Sequence, residues 1–343
     1  MVGALWGKVI DPNHVFVIAE AGVNHNGDIQ LAKKLVDVAV ESGADAVKFQ
    51  TFHAESLAVP QAQKADYQKE TTAAEESQVD MLKRLELSQD AHKELLAYCQ
   101  RKGILFLSTA FDLKSVDLLN DLGVEIFKIP SGEITNLPLL KHVAFKNKPM
   151  IVSTGMATLE EVEEMVAVLK ACGNERFVLL HCVSCYPANV EDVNLKAIST
   201  LGKTFNVPVG YSDHTAGIEI ALAATGMGVA VLEKHFTLDQ SMEGPDHKAS
   251  LNPGELKRMI QGIRNVEKAF GDGIKKPAES EIVNLHVVRK SLFAKEAIQK
   301  GDVFSEKNIT AKRPAEGINP MKWDQVVGQK AKRDFKKEEM IEI

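Results

Sequence analysis

Short apolar runs alternate with longer amphipathic segments from residue 15 to about residue 270. Eight runs are rich in β-branched residues and read as strands: "VFVIAE" (15–20), "DAVKFQ" (45–50), "ILFLST" (104–109), "EIFKIP" (125–130), "PMIVST" (149–154), "FVLLHC" (177–182), "VPVGYS" (207–212) and "VAVLEKHF" (229–236). Between them, segments such as "DIQLAKKLVDVAVESGA" and "LEEVEEMVAVLKACG" place apolar residues at helical spacing. Several end at a glycine suited to a helix C-terminus: Gly43, Gly103, Gly123 and Gly173. Eight strand–helix units predict an α/β fold of the (β/α)8 TIM-barrel type. A doubly wound open sheet would carry a glycine-rich phosphate loop after its first strand, and here that strand runs into "AEAGVNHNGD".

One connection is long. From Thr51 to about Ser88 the chain is polar and then helical, at the end of a barrel where insertions shape substrate pockets. After "AFGDGIKKPAESE" the pattern changes, so we assign residues 1–273 to the barrel, 274–284 to a polar linker and 285–343 to a small C-terminal domain. In that domain "AKEAIQKGDVF" (294–304) and "AKRDFKKEEMI" (331–341) repeat at an offset of 37 residues, aligning Ile298 with Phe335 and Phe304 with Ile341. The repeat predicts internal pseudo-symmetry.

Composition narrows the function. The net charge is −6 and aromatic residues make up 6% of the 343, so neither a basic footprint nor stacking platforms point to nucleic acid. The N-terminus reaches Pro12 before a signal-type apolar stretch builds, and no run approaches membrane-spanning length. A cytoplasmic protein without membrane contact is expected. Cys182 and Cys185 form a C-x-x-C, but no second ligand pair accompanies them. Buried or strand-end thiols are expected, rather than zinc ligands or a redox pair.

Catalytic groups of a barrel stand at the C-terminal ends of its strands. Reading those ends in order gives Glu20; Lys48 and Gln50; Ser108 and Thr109; Lys128, Ser131 and Glu133; Ser153 and Thr154; His181, Ser184 and Tyr186; Ser212, Asp213 and His214; and Glu233, Lys234 and His235. Two lysines among several hydroxyls suit a phosphate and a carboxylate bound together. A lysine Schiff-base aldolase needs one such lysine, and a carbohydrate- or ice-binding module needs none of this set. His214 and His235 end neighbouring strands, where two neutral imidazoles can meet one divalent ion, Mn²⁺ or Mg²⁺.

These residues carry a resemblance. "AEAGVNHNGD", "VKFQT", "KIPSGE", "VSTGM", "YSDHT", "EKHFT" and "GPDHKASL" resemble the bacterial sialic acid synthase family, which makes nonulosonic acids from phosphoenolpyruvate and an N-acylated mannose-type sugar. The final domain, with "KGDVFSEKNI" and "AKRPAEGI", resembles the mostly-β antifreeze-like (SAF) module attached to those barrels. Within the family, "SGEITNLP", "GPDHKAS" and "GDGIKKP" are most similar to the N,N′-diacetyllegionaminate synthases, with N-acetylneuraminate synthesis from N-acetylmannosamine as the alternative.

The resemblance implies roles by position. Lys48, Thr109, Lys128, Ser131, Ser153, Ser184 and Ser212 match the phosphoenolpyruvate site, although some N-acetylneuraminate-forming members have Asn at the position of Ser184. Glu20 and Glu133 match carboxylates at the reacting centre, and His214 and His235 match metal ligands. Gln50, Tyr186 and Asp246 match sugar-binding positions, while no clear counterpart of a sugar-contacting asparagine stands near Ala73. Arg313 matches an arginine that the SAF domain supplies to the partner subunit's barrel, which implies a homodimer with exchanged SAF domains.

Overall fold

The eight apolar runs form eight parallel strands closed into a barrel in sequence order. They are β1 (Phe16–Gly22), β2 (Ala46–Thr51), β3 (Leu105–Ala110), β4 (Phe127–Ile129), β5 (Met150–Ser153), β6 (Phe177–Cys182), β7 (Val209–Asp213) and β8 (Val231–His235). This computed structural model describes residues 2–72 and 75–343, so Ala73 lies outside the described residues. It divides into two units, Met1–Phe270 and Gly271–Ile343.

Each strand is followed by an outer helix: Ile29–Ser42, Gln89–Lys102, Leu113–Asp121, Leu137–Ala144, Leu159–Ala171, Lys196–Phe205, Glu219–Gly226 and Pro253–Phe270. Local chemistry sets their ends. The Asp28 side chain accepts from the Gln30 and Leu31 N–H groups, Thr158 and Glu161 form a capping box, and Gly43 closes its helix at φ 84°. The long connection after β2 holds three further short helices, Ala54–Leu57, Asp66–Thr71 and Gln78–Leu85.

The period-2 alternation of the strands sorts the core into two layers. Val17, Ala19, Val47, Phe49, Phe127, Val152 and Leu179 point outward and pack under the helices. Phe16, Ile18, Ala46, Leu107, Ile126, Ile151, Val178, Leu180 and Val231 fill the barrel interior. A helix absent from our sequence reading, Val2–Val9, sets Leu5, Trp6 and Val9 against that interior cluster. Apolar side chains thus fill the barrel's lower interior, which leaves its inward-facing polar positions at the C-terminal end.

The second unit begins with the helix Glu279–Val288, so residues 279–284, read as linker, are helical. It continues into an antiparallel pair, β9 (Ser291–Ala294) and β10 (Ile309–Lys312). The two sequence copies pair with each other. Ile298 and Phe335 exchange both backbone hydrogen bonds, at 2.9 and 2.8 Å. Gly301 N–H to Ala331 carbonyl is mirrored by Glu338 N–H to Ala294 carbonyl, both 2.8 Å, and each partner is its counterpart shifted by the repeat. The matched apolar residues Ile298, Phe335, Phe304 and Ile341 form this unit's core with Leu292, Ile309 and Val326.

Candidate active site

The inward-facing rows that are apolar below turn polar at the top. Glu20 follows Ile18 on β1, Lys48 follows Ala46 on β2, Thr109 follows Leu107 on β3, and Glu233 and His235 follow Val231 on β8. These rows converge on a cavity of about 260 Å³. Twelve of the fifteen residues assigned from sequence line it: Glu20, Lys48, Gln50, Thr109, Lys128, Ser131, Ser153, Ser184, Tyr186, Ser212, His214 and His235. Outward-facing strand-end polar groups are spent elsewhere. Lys234 pairs with Asp213 at 2.6 Å, Ser108 meets the Thr51 hydroxyl, and His181 meets the Val193 carbonyl.

Three assigned residues stand apart from that lining. Glu133 follows β4 in a short 3-10 turn, where its Oε2 accepts from Asn136 Nδ2 at 2.6 Å. Asp246 is buried behind His235, with Oδ2 3.9 Å from Nδ1 of that ring. Arg313 belongs to the second unit, exposed, with Nε donating to the Val288 carbonyl.

Charge is concentrated on four buried groups. Lys48 Nζ lies 2.8 Å from Glu20 Oε2 and 3.7 Å from Glu233 Oε2, and it donates to Thr109 Oγ1 at 2.8 Å. Lys128 Nζ donates to Ser153 Oγ at 2.7 Å and lies 3.6 Å from Glu233 Oε1. Burial pushes Glu20 up to about 7, although Lys48 opposes the shift. Burial acts upward on Glu233 too, but Lys128, Lys48 and the Ser212 hydroxyl outweigh it and hold this carboxylate at about 2. Lys48 is raised: burial works against its charge, and the two carboxylates prevail. Lys128 is lowered by burial. Glu233, given no role from sequence, is therefore the shared counter-charge of both lysines. The signal for it was its inward phase, two residues before His235.

Gly155 was also missed. Its N–H donates to Ser131 Oγ at 3.0 Å, and a Cβ there would stand 2.8 Å from that oxygen and 2.9 Å from Cys182 Sγ. All four cysteines are free, with Cys182 buried at the end of β6, 3.1 Å from Ser131 Oγ, and Cys185 exposed beyond it.

The two histidines meet a requirement for metal ligation. Burial lowers His214 to about 4 and, together with His214 itself, sets His235 well below the usual imidazole range, so both rings are neutral at pH 7. His214 Nδ1 donates to the Val183 carbonyl at 2.6 Å, which leaves Nε2 with its lone pair. The ring centroids are 5.5 Å apart, and Tyr186 lies 4.3 Å from one and 5.5 Å from the other. His235 Nδ1 is buried without a hydrogen bond. Among the described residues no cluster of three or more His, Cys, Asp or Glu ligands forms. Two neutral imidazoles at adjacent strand ends are donors of the type a divalent ion takes, with its other positions left to water and substrate oxygens.

The NeuB family profile matches residues 35–275 and the SAF domain profile residues 289–342. The N,N′-diacetyllegionaminic acid synthase of Campylobacter jejuni is 56% identical over 95% of this chain and 98% of its own. That of Legionella pneumophila is 50% identical over 92% and 90%. The crystal structure of N-acetylneuraminic acid (sialic acid) synthetase from Leptospira borgpetersenii, in complex with citrate, superposes with a TM-score of 0.70 at 37% identity, covering 80% of this chain and 91% of that one. Among the described residues no helix is long and apolar enough to cross a membrane. Matched by the family profile over most of the barrel, and at 50% identity or more by two relatives over nine-tenths of its length, the chain belongs to the NeuB family and carries a SAF domain at its C-terminal end.

Proposed function

We propose that the protein condenses phosphoenolpyruvate with 2,4-diacetamido-2,4,6-trideoxymannose to form N,N′-diacetyllegionaminic acid and phosphate. The observation that carries this reading is the 56% identity to a synthase of that product over nearly the full length of both chains. The cavity chemistry supports it. Lys48 and Lys128, with the hydroxyls of Thr109, Ser131, Ser153 and Ser212, provide charge and hydrogen bonds for a phosphate and a carboxylate on one small molecule.

In the proposed reaction, C3 of phosphoenolpyruvate attacks the aldehyde carbon of the open-chain sugar, and the aldehyde oxygen takes up a proton. Water adds to the cationic C2 carbon and gives up a proton. The tetrahedral intermediate then expels phosphate and leaves a 2-keto acid. Glu20 and Glu233 face this centre, where carboxylates stabilise developing positive charge and Glu20 stands beside Lys48 to accept a proton. Glu133 is proposed as the second carboxylate of the reacting centre, and Gln50, Tyr186 and Asp246 as contacts around the sugar. His214 and His235 would hold Mn²⁺ or Mg²⁺, which as a Lewis acid supplies polarisation of the aldehyde.

We also propose an exchanged homodimer in which Arg313 reaches the partner's barrel. The helix Glu279–Val288 supports it: Val283 and Val287 are 70% and 65% exposed, and Met321 in the same unit is 90% exposed. Such apolar surface calls for a partner. A substrate panel tests the main reading. Phosphate release from phosphoenolpyruvate should be faster with 2,4-diacetamido-2,4,6-trideoxymannose than with N-acetylmannosamine, and the reverse order would make the protein an N-acetylneuraminate synthase.

A further inference from the structure

The loops after β1 and β8 are joined by polar side chains to which the proposed reaction assigns no role. Asn24, fully buried, donates through Nδ2 to the Phe236 carbonyl at 2.8 Å and to Ser250 Oγ at 2.9 Å. That hydroxyl in turn donates to the Asp246 carbonyl at 2.6 Å. Asn26 donates through Nδ2 to the Glu243 carbonyl at 2.9 Å, which fixes its amide and turns Oδ1 toward His247 Nε2 at 3.2 Å. An amide oxygen only accepts, so His247 carries its proton on Nε2; its Nδ1 stands 2.6 Å from the Thr237 hydroxyl, which also reaches the Asp239 carbonyl at 3.1 Å. The turn that presents Asn26 is equally specified. His25 Nδ1 accepts the Gly27 N–H at 2.9 Å, and at φ +77° a Cβ on Gly27 would run into the Arg84 carbonyl oxygen.

Asp246 stands between these anchors. Its own carbonyl is held through Ser250 and Asn24, the ring of the next residue is held by Asn26 and Thr237, and its carboxylate faces His235. We infer that Asn26, Thr237 and His247 form a latch between the two loops that fixes the Asp246 carboxylate where the sugar binds. They are positioning residues, and the inference rests on the reading of Asp246 as a sugar contact. A carboxylate on a loop recognises a hydroxyl only while its backbone is held, because a displacement of about 1 Å breaks the geometry. Phosphoenolpyruvate, assigned to side chains on other strands, does not depend on this loop.

The test is steady-state kinetics on the full chain with Mn²⁺, varying phosphoenolpyruvate and the diacetamido sugar separately, beside thermal midpoints. Thr237→Val keeps the shape and deletes the hydroxyl, whereas Thr237→Ser keeps the hydroxyl. Thr237→Val and Asn26→Ala should each raise the sugar KM about ten-fold, the loss of roughly one good hydrogen bond. Their phosphoenolpyruvate KM should stay at the wild-type value, and Thr237→Ser should restore the sugar KM. The double variant should be no worse than the poorer single one, since both break one chain. Equal rises in both KM values, or a lower kcat with both KM values unchanged, would overturn the latch. Asp246→Asn separates the two levels. A wild-type sugar KM in that variant removes the sugar contact and the latch with it. A raised KM there, with folded Thr237→Val and Asn26→Ala unchanged, removes the latch alone.

Discussion

Ser212 Oγ donates to Glu233 Oε1 at 3.0 Å, across the β7–β8 register that sets the two residues opposite each other. The same carboxylate lies within 3.7 Å of both Lys48 and Lys128. In the proposed reaction it would compete with the anionic substrate for two cations and face the carbon that becomes positive. Glu233→Gln keeps the size and an acceptor for Ser212 but removes the charge. The KM for phosphoenolpyruvate should fall about three-fold and kcat about 100-fold, as expected when one preorganised charge is lost. A higher KM with kcat intact would show that the carboxylate only supports the fold.

Gly155→Ala should act on the other side of the cavity. The added methyl meets Ser131 Oγ, Ser184 Oγ and Cys182 Sγ, and it would push the Ser131 hydroxyl from its place in the cavity, where the proposed reading sets phosphoenolpyruvate. Overpacking of this kind costs about 1–3 kcal/mol. The phosphoenolpyruvate KM should rise at least about ten-fold, with the sugar KM unchanged. Titrating each substrate separately decides the point.

Much of this site was legible because a barrel strand has only two faces. Once the strands are placed, the residue two beyond an inward apolar one is inward too, so Glu20, Lys48, Thr109 and Ser153 follow from alternation. The phase was harder to fix. Lys234 and Asp213 look as functional as their neighbours, and only barrel closure shows them paired on the outer face. Glu133 sits beyond the last strand residue of β4, where a turn and not the strand decides its direction. The link between Asn26 and His247 spans more than 200 residues and leaves no local periodicity. The helix Val2–Val9 is short, and its place follows from the apolar barrel floor it meets.

Removal of divalent ions should abolish activity if His214 and His235 hold a metal. Dialysis against a chelator should leave a folded, inactive protein, and Mn²⁺ or Mg²⁺ should restore it. His235→Ala should weaken metal binding measured by calorimetry, because the donor set is small and each imidazole is a large share of it. Full activity of the chelated protein would leave the two rings as structural partners of Tyr186.

The exchanged dimer has a complementation test. His214→Ala and Arg313→Ala chains, each inactive alone, should regain activity when mixed and refolded together, since one barrel in each heterodimer would have intact residues from both chains. About half the barrels in a heterodimer should work. Verified heterodimers without activity would make each subunit self-contained.

At the opposite end of the barrel, Asp45 gathers Lys8 and His14 at 3.0 Å, Arg264 at 2.8 Å and the Val17 N–H at 3.0 Å. Burial pushes this carboxyl upward, but the Val17 N–H, His14 and Lys8 outweigh it and lower its pKa below 3.8. A depressed carboxyl contributes stability in full above the unfolded value and loses it as pH falls through the folded one. Asp45→Asn should therefore cost about 2–3 kcal/mol at pH 7, the scale of a broken buried pair with partly exposed partners. The gap from wild type should close below about pH 3.8. Urea unfolding at pH 7, 5 and 3 measures it. A gap that does not change with pH would mean that the amide's altered hydrogen bonding, and not the lost charge, sets the cost. The same clamp ties the N-terminal helix to the barrel floor, so the variant should lose stability while both KM values stay at wild type.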